Sequence, residues 1–268
     1  MMKEPQQGEF MVNETKSLRE LLKESFSLFA GNIVRLLGVA LAGVCLFLTA
    51  TIVTIILMSL TAAFSGVKTQ EAGIAAAALG GIFVFLLFLV FITIHILSSI
   101  AMIKVVDTAN RGQAIGVFEA YKQARLLSLS YFTAMILTVG KIFLWSLLLI
   151  IPGVIFGIFY SLYSFAVVVD GQRGNQALAY SAKIIKPQIW RCIGYYVLIS
   201  AASVLLFFAC EYVVHQIFGV PQKGQFLLLP ALGSLVIFVF NGIMGFYFFT
   251  FSYLFYEDLK KGTSELKK

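Results

Sequence analysis

Apolar residues run in long blocks along this chain, broken by short polar links. The first block extends from about Ile33 to Leu60 and the second from about Ala75 to Ile103, with "SGVKTQEAG" between them. A third begins near Leu129 and turns polar only at Asp170, with Lys141 as its single charge. Two more run from about Trp190 to Phe218 and from about Phe226 to Phe255. None alternates with the period of a strand. Each exceeds the roughly 20 residues that cross a hydrocarbon core of about 30 Å as a helix. The pattern predicts an all-α integral membrane protein.

The third block decides the topology. At about 40 residues it makes roughly 60 Å of helix, twice the thickness of the bilayer core. Typical tilts of about 20° do not absorb that excess. Two spans joined by a tight turn do, and Pro152-Gly153 supplies turn chemistry: a fixed φ and a missing donor, then a permissive residue. Six transmembrane helices follow.

Charge placement supports the same count. Of the 20 lysines and arginines, only Lys68 and Lys223 fall on one side of a six-span chain, with Lys141 inside the membrane and the rest opposite. That imbalance is the positive-inside rule and puts both termini in the cytoplasm. Reading residues 129–170 as one span would move the cluster from Arg173 to Arg191 outside and destroy the asymmetry. With 60% hydrophobic and 12% charged residues and a mean hydropathy of +0.92, the chain has about half the charge of a soluble domain. The net charge of +7 therefore reports orientation and attraction to anionic lipid, and implies no nucleic-acid partner. The charged start, "MMKEPQQGEFMVNETKSLRELLKESF", lacks the short apolar core of a cleavable signal, so the first span is expected to serve as the insertion signal. The expected organisation is a cytoplasmic tail over residues 1–16, one membrane domain over 17–256 and a second cytoplasmic tail over 257–268.

Two amphipathic stretches precede spans. "SLRELLKESFSLFAG" sets Leu18, Leu21, Leu22, Leu28 and Phe29 against Arg19, Glu20, Lys23 and Glu24, the pattern of a helix lying in the interface. "NQALAYSAKIIKPQIWRCIG" sets Leu178, Ile184 and Ile185 against Lys183 and Lys186. An offset of 156 positions aligns Leu22 with Leu178, Ser25 with Ser181, Arg35 with Arg191 and Gly38 with Gly194. A weaker third copy, "VFEAYKQARLLSLSYF", precedes the third span. The economical reading is a parallel repeat of three units, each an interfacial helix followed by a two-helix hairpin. Pro187 should end its interfacial helix at or just after Lys186.

Several of these residues form a pattern. Ile151-Pro152-Gly153 is followed by aromatics from Tyr160 to Phe165, then Asp170-Gly171. Ala177-Leu178 with Ser181 and Trp190-Arg191 with Gly194 come next. The stretch resembles the bacterial glycerophosphoryl diester phosphodiesterase membrane domain family and its stand-alone six-span relatives, over most of residues 17–256 and most sharply over 147–194. The resemblance implies the six-helix fold and the bacterial inner membrane. It does not carry phosphodiesterase activity, because the polar segments are too short for a barrel of roughly 250 residues, and that domain's metal-binding acids and histidines have no counterpart.

Intramembrane polar residues are the candidates for chemistry. Lys141 lies near mid-depth of the third span. Glu211 and His215 sit one helical turn apart in the fifth, His95 lies in the second and Asn241 in the sixth. One reading puts Lys141 and Glu211 on a shared polar cavity; the other has Lys141 snorkelling or structurally paired, with Glu211 and His215 at the outer interface. Arg35, Trp190 and Arg191 are expected to anchor the interface, on lipid phosphate among other groups. Gly153 and Gly157 form a G-x-x-x-G that permits close helix packing. Cys45, Cys192 and Cys210 have no metal-like spacing, and neither metal nor cofactor is expected. No nucleophile elbow, H-E-x-x-H, Walker loop or CxxC is present, and two histidines leave little general-base inventory. The sequence points to a non-catalytic accessory or scaffold protein of envelope or lipid processes, with membrane lipids and a membrane or cytoplasmic protein as partners. The alternative is a permease for an ion, lipid or small anionic solute, using a cavity near Lys141 and Glu211.

Overall fold

The computed structural model describes residues 16–64, 70–218 and 228–265, and all regular structure among them is helical. Most of the N-terminal tail, together with Lys68 and Lys223, lies outside the described residues. The helices are α1 (Leu18–Phe64), α2 (Gln70–Asn110), α3 (Val117–Leu148), α4 (Ile150–Tyr160), α5 (Tyr163–Val168), α6 (Asn175–Ile185), α7 (Ile189–Phe218) and α8 (Leu228–Glu265). Six helical stretches are long and apolar enough to cross a membrane; α4 with α5 makes one of them, and α6 with α7 another.

α1 starts where a capping box fixes it. The Glu20 carboxylate accepts from the Ser17 backbone N–H at 2.9 Å, and Ser17 Oγ accepts from the Glu20 N–H at 3.3 Å. From there α1 runs unbroken, so the amphipathic stretch and the first span are one helix. In the stretch 156 positions on, α6 stops at Ile185 and a 3-10 turn, Lys186–Gln188, leads into α7. Pro187 explains the difference, since it has no N–H for the helical ladder. The position 156 residues earlier is Gly31, which keeps its donor. α8 likewise continues through Glu265, so residues 257–265 are helical and continuous with the last apolar stretch.

The turn between the third and fourth stretches falls at Leu149, not on Pro152-Gly153. Leu149 is extended (φ −158°, ψ 137°) and caps α3 and α4 at once. Pro152 then occupies the first turn of α4, where helical N–H groups have no partner and a missing donor costs nothing. Gly153 serves close approach: a Cβ there would lie 2.9 Å from the Ser146 Cα across the hairpin.

A second break, at Ser161-Leu162, separates α4 from α5 and frees backbone groups inside the protein. Buried Ser181 of α6 meets both. Its hydroxyl donates to the Phe159 carbonyl at 2.7 Å and accepts from the Leu162 N–H at 3.3 Å. Beyond α5, Gly171 (φ +65°) and Gly174 (φ +48°) take the left-handed turns that bring the chain back into α6.

The packed core gathers at one end of the helices. It is built from Leu21, Leu36 and Val39 of α1, Ile96 to Val106 of α2, α5, the inner face of α6, and Phe251 to Leu259 of α8. α1 packs on α2 and α8, α7 on α8, and α3 on α2, α4, α5 and α6. Away from that end, long apolar lengths of α1, α2, α7 and α8 are exposed, among them Ile52, Phe85, Phe208 and Phe238. In a bilayer such surface meets hydrocarbon, not water.

Candidate functional site

The core end is knit by ionic contacts. Arg191 Nη2 lies 2.6 Å from Asp258 Oδ2 and donates to the Lys16 carbonyl at 2.7 Å, while the Lys16 backbone N–H donates to Asp258 Oδ1 at 3.0 Å. The same guanidinium sits over the rings of Tyr195 (5.3 Å) and Phe255 (5.8 Å). One carboxylate thus holds the start of α1, the start of α7 and the end of α8. Asp170, just after α5, accepts from Tyr256 and Lys260 of α8. Asp107 of α2 accepts from Arg111 at 3.0 Å and from the Tyr253 hydroxyl at 2.9 Å. Each acid here has cationic or hydroxyl partners from the protein itself, so this layer is structural. Arg191, expected to anchor on lipid, spends its charge on Asp258. Trp190 is exposed, and Arg35 donates to Asn32 of its own helix at 2.6 Å.

A different cluster surrounds a cavity of about 460 Å³ between the α3–α4 hairpin and α6. Lys141 of α3 reaches across to α6, where its Nζ donates to Asn175 Oδ1 at 2.5 Å, and lies 5.6 Å from the Tyr160 ring centroid. Lys183 and Lys186 line the same cavity, and Lys186 Nζ sits 5.8 Å from the Phe159 centroid. Phe156, stacked on Trp145 at 4.4 Å, completes an aromatic wall; Ala179, Ala182 and Pro187 supply the remaining apolar lining. Three lysines therefore line an aromatic hollow whose lining contains no carboxylate.

Of the intramembrane candidates, only Lys141 belongs to this cavity. Glu211 and His215 lie on α7, and among the described residues neither is hydrogen-bonded or ion-paired to Lys141. Asn241 donates to the Ile237 carbonyl of its own helix at 2.8 Å, and exposed His95 stacks on Phe91 at 6.3 Å. Lys183 and Lys186 were legible in the sequence only as the polar face of an amphipathic helix. The signal pointing further was their i,i+3 spacing, which places them on one side of α6. Asn175 carried no signal of its own.

Six helices long and apolar enough to cross a membrane, packed at one charged end and all helical among the described residues, define the class: a multi-pass helical membrane protein. Within that class no relative can be cited, since no family model, curated protein or solved structure matches the chain.

Proposed function

We propose that the chain is a non-catalytic integral membrane protein with an accessory or scaffold role in envelope or lipid-related processes. It sits in the bacterial cytoplasmic membrane with both termini cytoplasmic. Charge asymmetry supports the orientation, and the resemblance to phosphodiesterase-linked membrane domains supports the lipid context. The repeat of interfacial helix plus hairpin belongs to this reading. Its two clearest copies share a local contact: Arg35 bonds Asn32 at i−3, and Arg191, 156 positions on, bonds Gln188 at i−3 with 3.0 Å.

The observation that carries the proposal is the distribution of polar groups. The interhelical ion pairs among the described residues lie at the packed end, close to the helix termini. Thr49 and Thr51 of α1, Thr93 of α2 and Asn241 of α8, deeper in the apolar arms, each bond the backbone of their own helix. Among the described residues, Lys141 is the one charged side chain there with a hydrogen bond to another helix, to Asn175. A solute pathway needs polar groups through the depth of the bilayer. The permease alternative has one observation in its favour, the cavity beside Lys141, which Glu211 does not line.

The test is untargeted lipid and metabolite analysis of a strain lacking the chain against the complemented strain. The proposal expects a changed envelope lipid profile, restored by the full chain, with no single solute accumulated or lost. Failure to take up or export one solute, reproduced by Lys141→Ala at normal expression and insertion, would replace it with the permease reading.

A further inference from the structure

We propose that the cavity lined by Lys141, Lys183 and Lys186 binds the phosphate of an anionic ligand, with Asn175 as a further polar group at its rim. The acids near this region, Asp170 and Asp258, are engaged by Lys260 and Arg191. Among the described residues no carboxylate lies within ion-pair distance of any of the three lysines. Three like charges on one hollow repel each other, and a bound anion removes that repulsion. The single hydrogen bond holding Lys141 uses one of its three donors. Lys183 and Lys186 are exposed, line the cavity, and among the described residues neither ammonium has a hydrogen-bond or ion-pair partner.

The lining also sets the chemistry of what can enter. With no acid present, an ammonium-bearing headgroup finds no partner, so a phosphate carrying only hydroxyls is favoured over a zwitterion. Phe156, Phe159 and Tyr160 give the hollow an apolar wall that continues into the exposed Leu144, Ile151 and Val154 of the α3–α4 hairpin. Phosphate at the lysines with an apolar extension along that hairpin is the geometry of an anionic phospholipid. Free inorganic phosphate satisfies the lysines alone. The inference rests on the membrane-scaffold reading in one respect, that α6 lies at the cytoplasmic headgroup level.

The experiment is native mass spectrometry of the full chain in detergent, titrated with phosphatidylglycerol, with phosphatidylethanolamine, and with phosphatidylglycerol plus millimolar inorganic phosphate. Lys141→Gln/Lys183→Gln/Lys186→Gln is compared with a control that removes three exposed cations elsewhere, Lys122→Gln/Arg125→Gln/Arg173→Gln. The expected result is retention of phosphatidylglycerol by the wild type, a loss of at least about tenfold in the cavity variant, and less than about twofold in the control. Phosphatidylglycerol that survives inorganic phosphate identifies a lipid headgroup as the source; phosphatidylglycerol displaced by it identifies a soluble phosphate. Equal retention by wild type and cavity variant overturns the site, as does an equal loss in the control. Should the triple variant fail to insert, the single exposed changes Lys183→Gln and Lys186→Gln each carry the test, with an expected loss of about threefold. Absence of this binding leaves the lipid profile of the deletion strain free to support the scaffold reading. A solute-uptake phenotype would remove that reading without touching lipid retention.

Discussion

Ser25 and Ser181 are serines 156 positions apart, both fully buried, yet they do different work. Ser25 Oγ donates to the Leu21 carbonyl of its own helix at 2.6 Å, a carbonyl that already accepts a helical bond. Ser181 holds the backbone at the α4–α5 break. Removing a sole partner from a buried N–H or C=O costs more than removing a supplementary one, typically about 1–3 kcal/mol. Ser181→Ala should therefore lower the unfolding midpoint in detergent by an amount in that range, while Ser25→Ala leaves it nearly unchanged. Equal effects would contradict this assignment. The recurrence of serine was legible in the sequence. Its role was not, because Ser161-Leu162 carries neither proline nor glycine to announce a broken helix. Pro152-Gly153 shows the converse: it marks the hairpin correctly but sits three residues past the turn, with proline in the tolerant first turn and glycine at the contact with Ser146.

Among the elements, the two stretches 156 positions apart differ most at Gly31 and Pro187. α1 is continuous through Gly31, whereas α6 ends at Ile185 and a 3-10 turn through Pro187 precedes α7, one residue before the end at or just after Lys186 that the sequence suggested. The arginine after each junction keeps its i−3 amide but not its other partners. Arg191 is the hub of α1, α7 and α8, its side chain 19% exposed against 5% for Asp258, while the hydrogen bond of Arg35 to Asn32 stays within α1. Breaking a buried pair from one side leaves an uncompensated charge, at a cost on the order of 3 kcal/mol. Arg191→Ala should lose stability on that scale, and Arg35→Ala should lose about 1 kcal/mol or less. Chemical unfolding of both variants in the same detergent is the check, and a costlier Arg35→Ala would contradict the hub. Asp258 could not be found from sequence, because a carboxylate in the last helical turns of a cytoplasmic tail reads as solvated.

For the whole molecule, length and charge were enough to count six apolar helices, since both follow from the bilayer's thickness and the positive-inside rule. Which ends pack together was not legible. Blocks apolar on every face carry no period that marks an inner side, and only the structure locates the core beside Asp107, Asp170 and Asp258. Lys141 illustrates the consequence: its place as the single charge of the third apolar block was readable, but its position beside Lys183 and Lys186 depends on how α6 folds back onto the hairpin.

The six-helix topology depends on that hairpin, and the loop holding Arg173 reports it most directly. In a chain with Cys45, Cys192 and Cys210 replaced by alanine, Arg173→Cys is treated with a membrane-impermeant maleimide in intact and in permeabilised cells. Arg173 is exposed, so the thiol is available wherever the loop lies. The hairpin topology predicts no labelling in intact cells and full labelling after permeabilisation. Labelling in intact cells would mean that residues 129–170 cross only once, and would contradict the six-helix topology and the cytoplasmic position of the lysine cavity together.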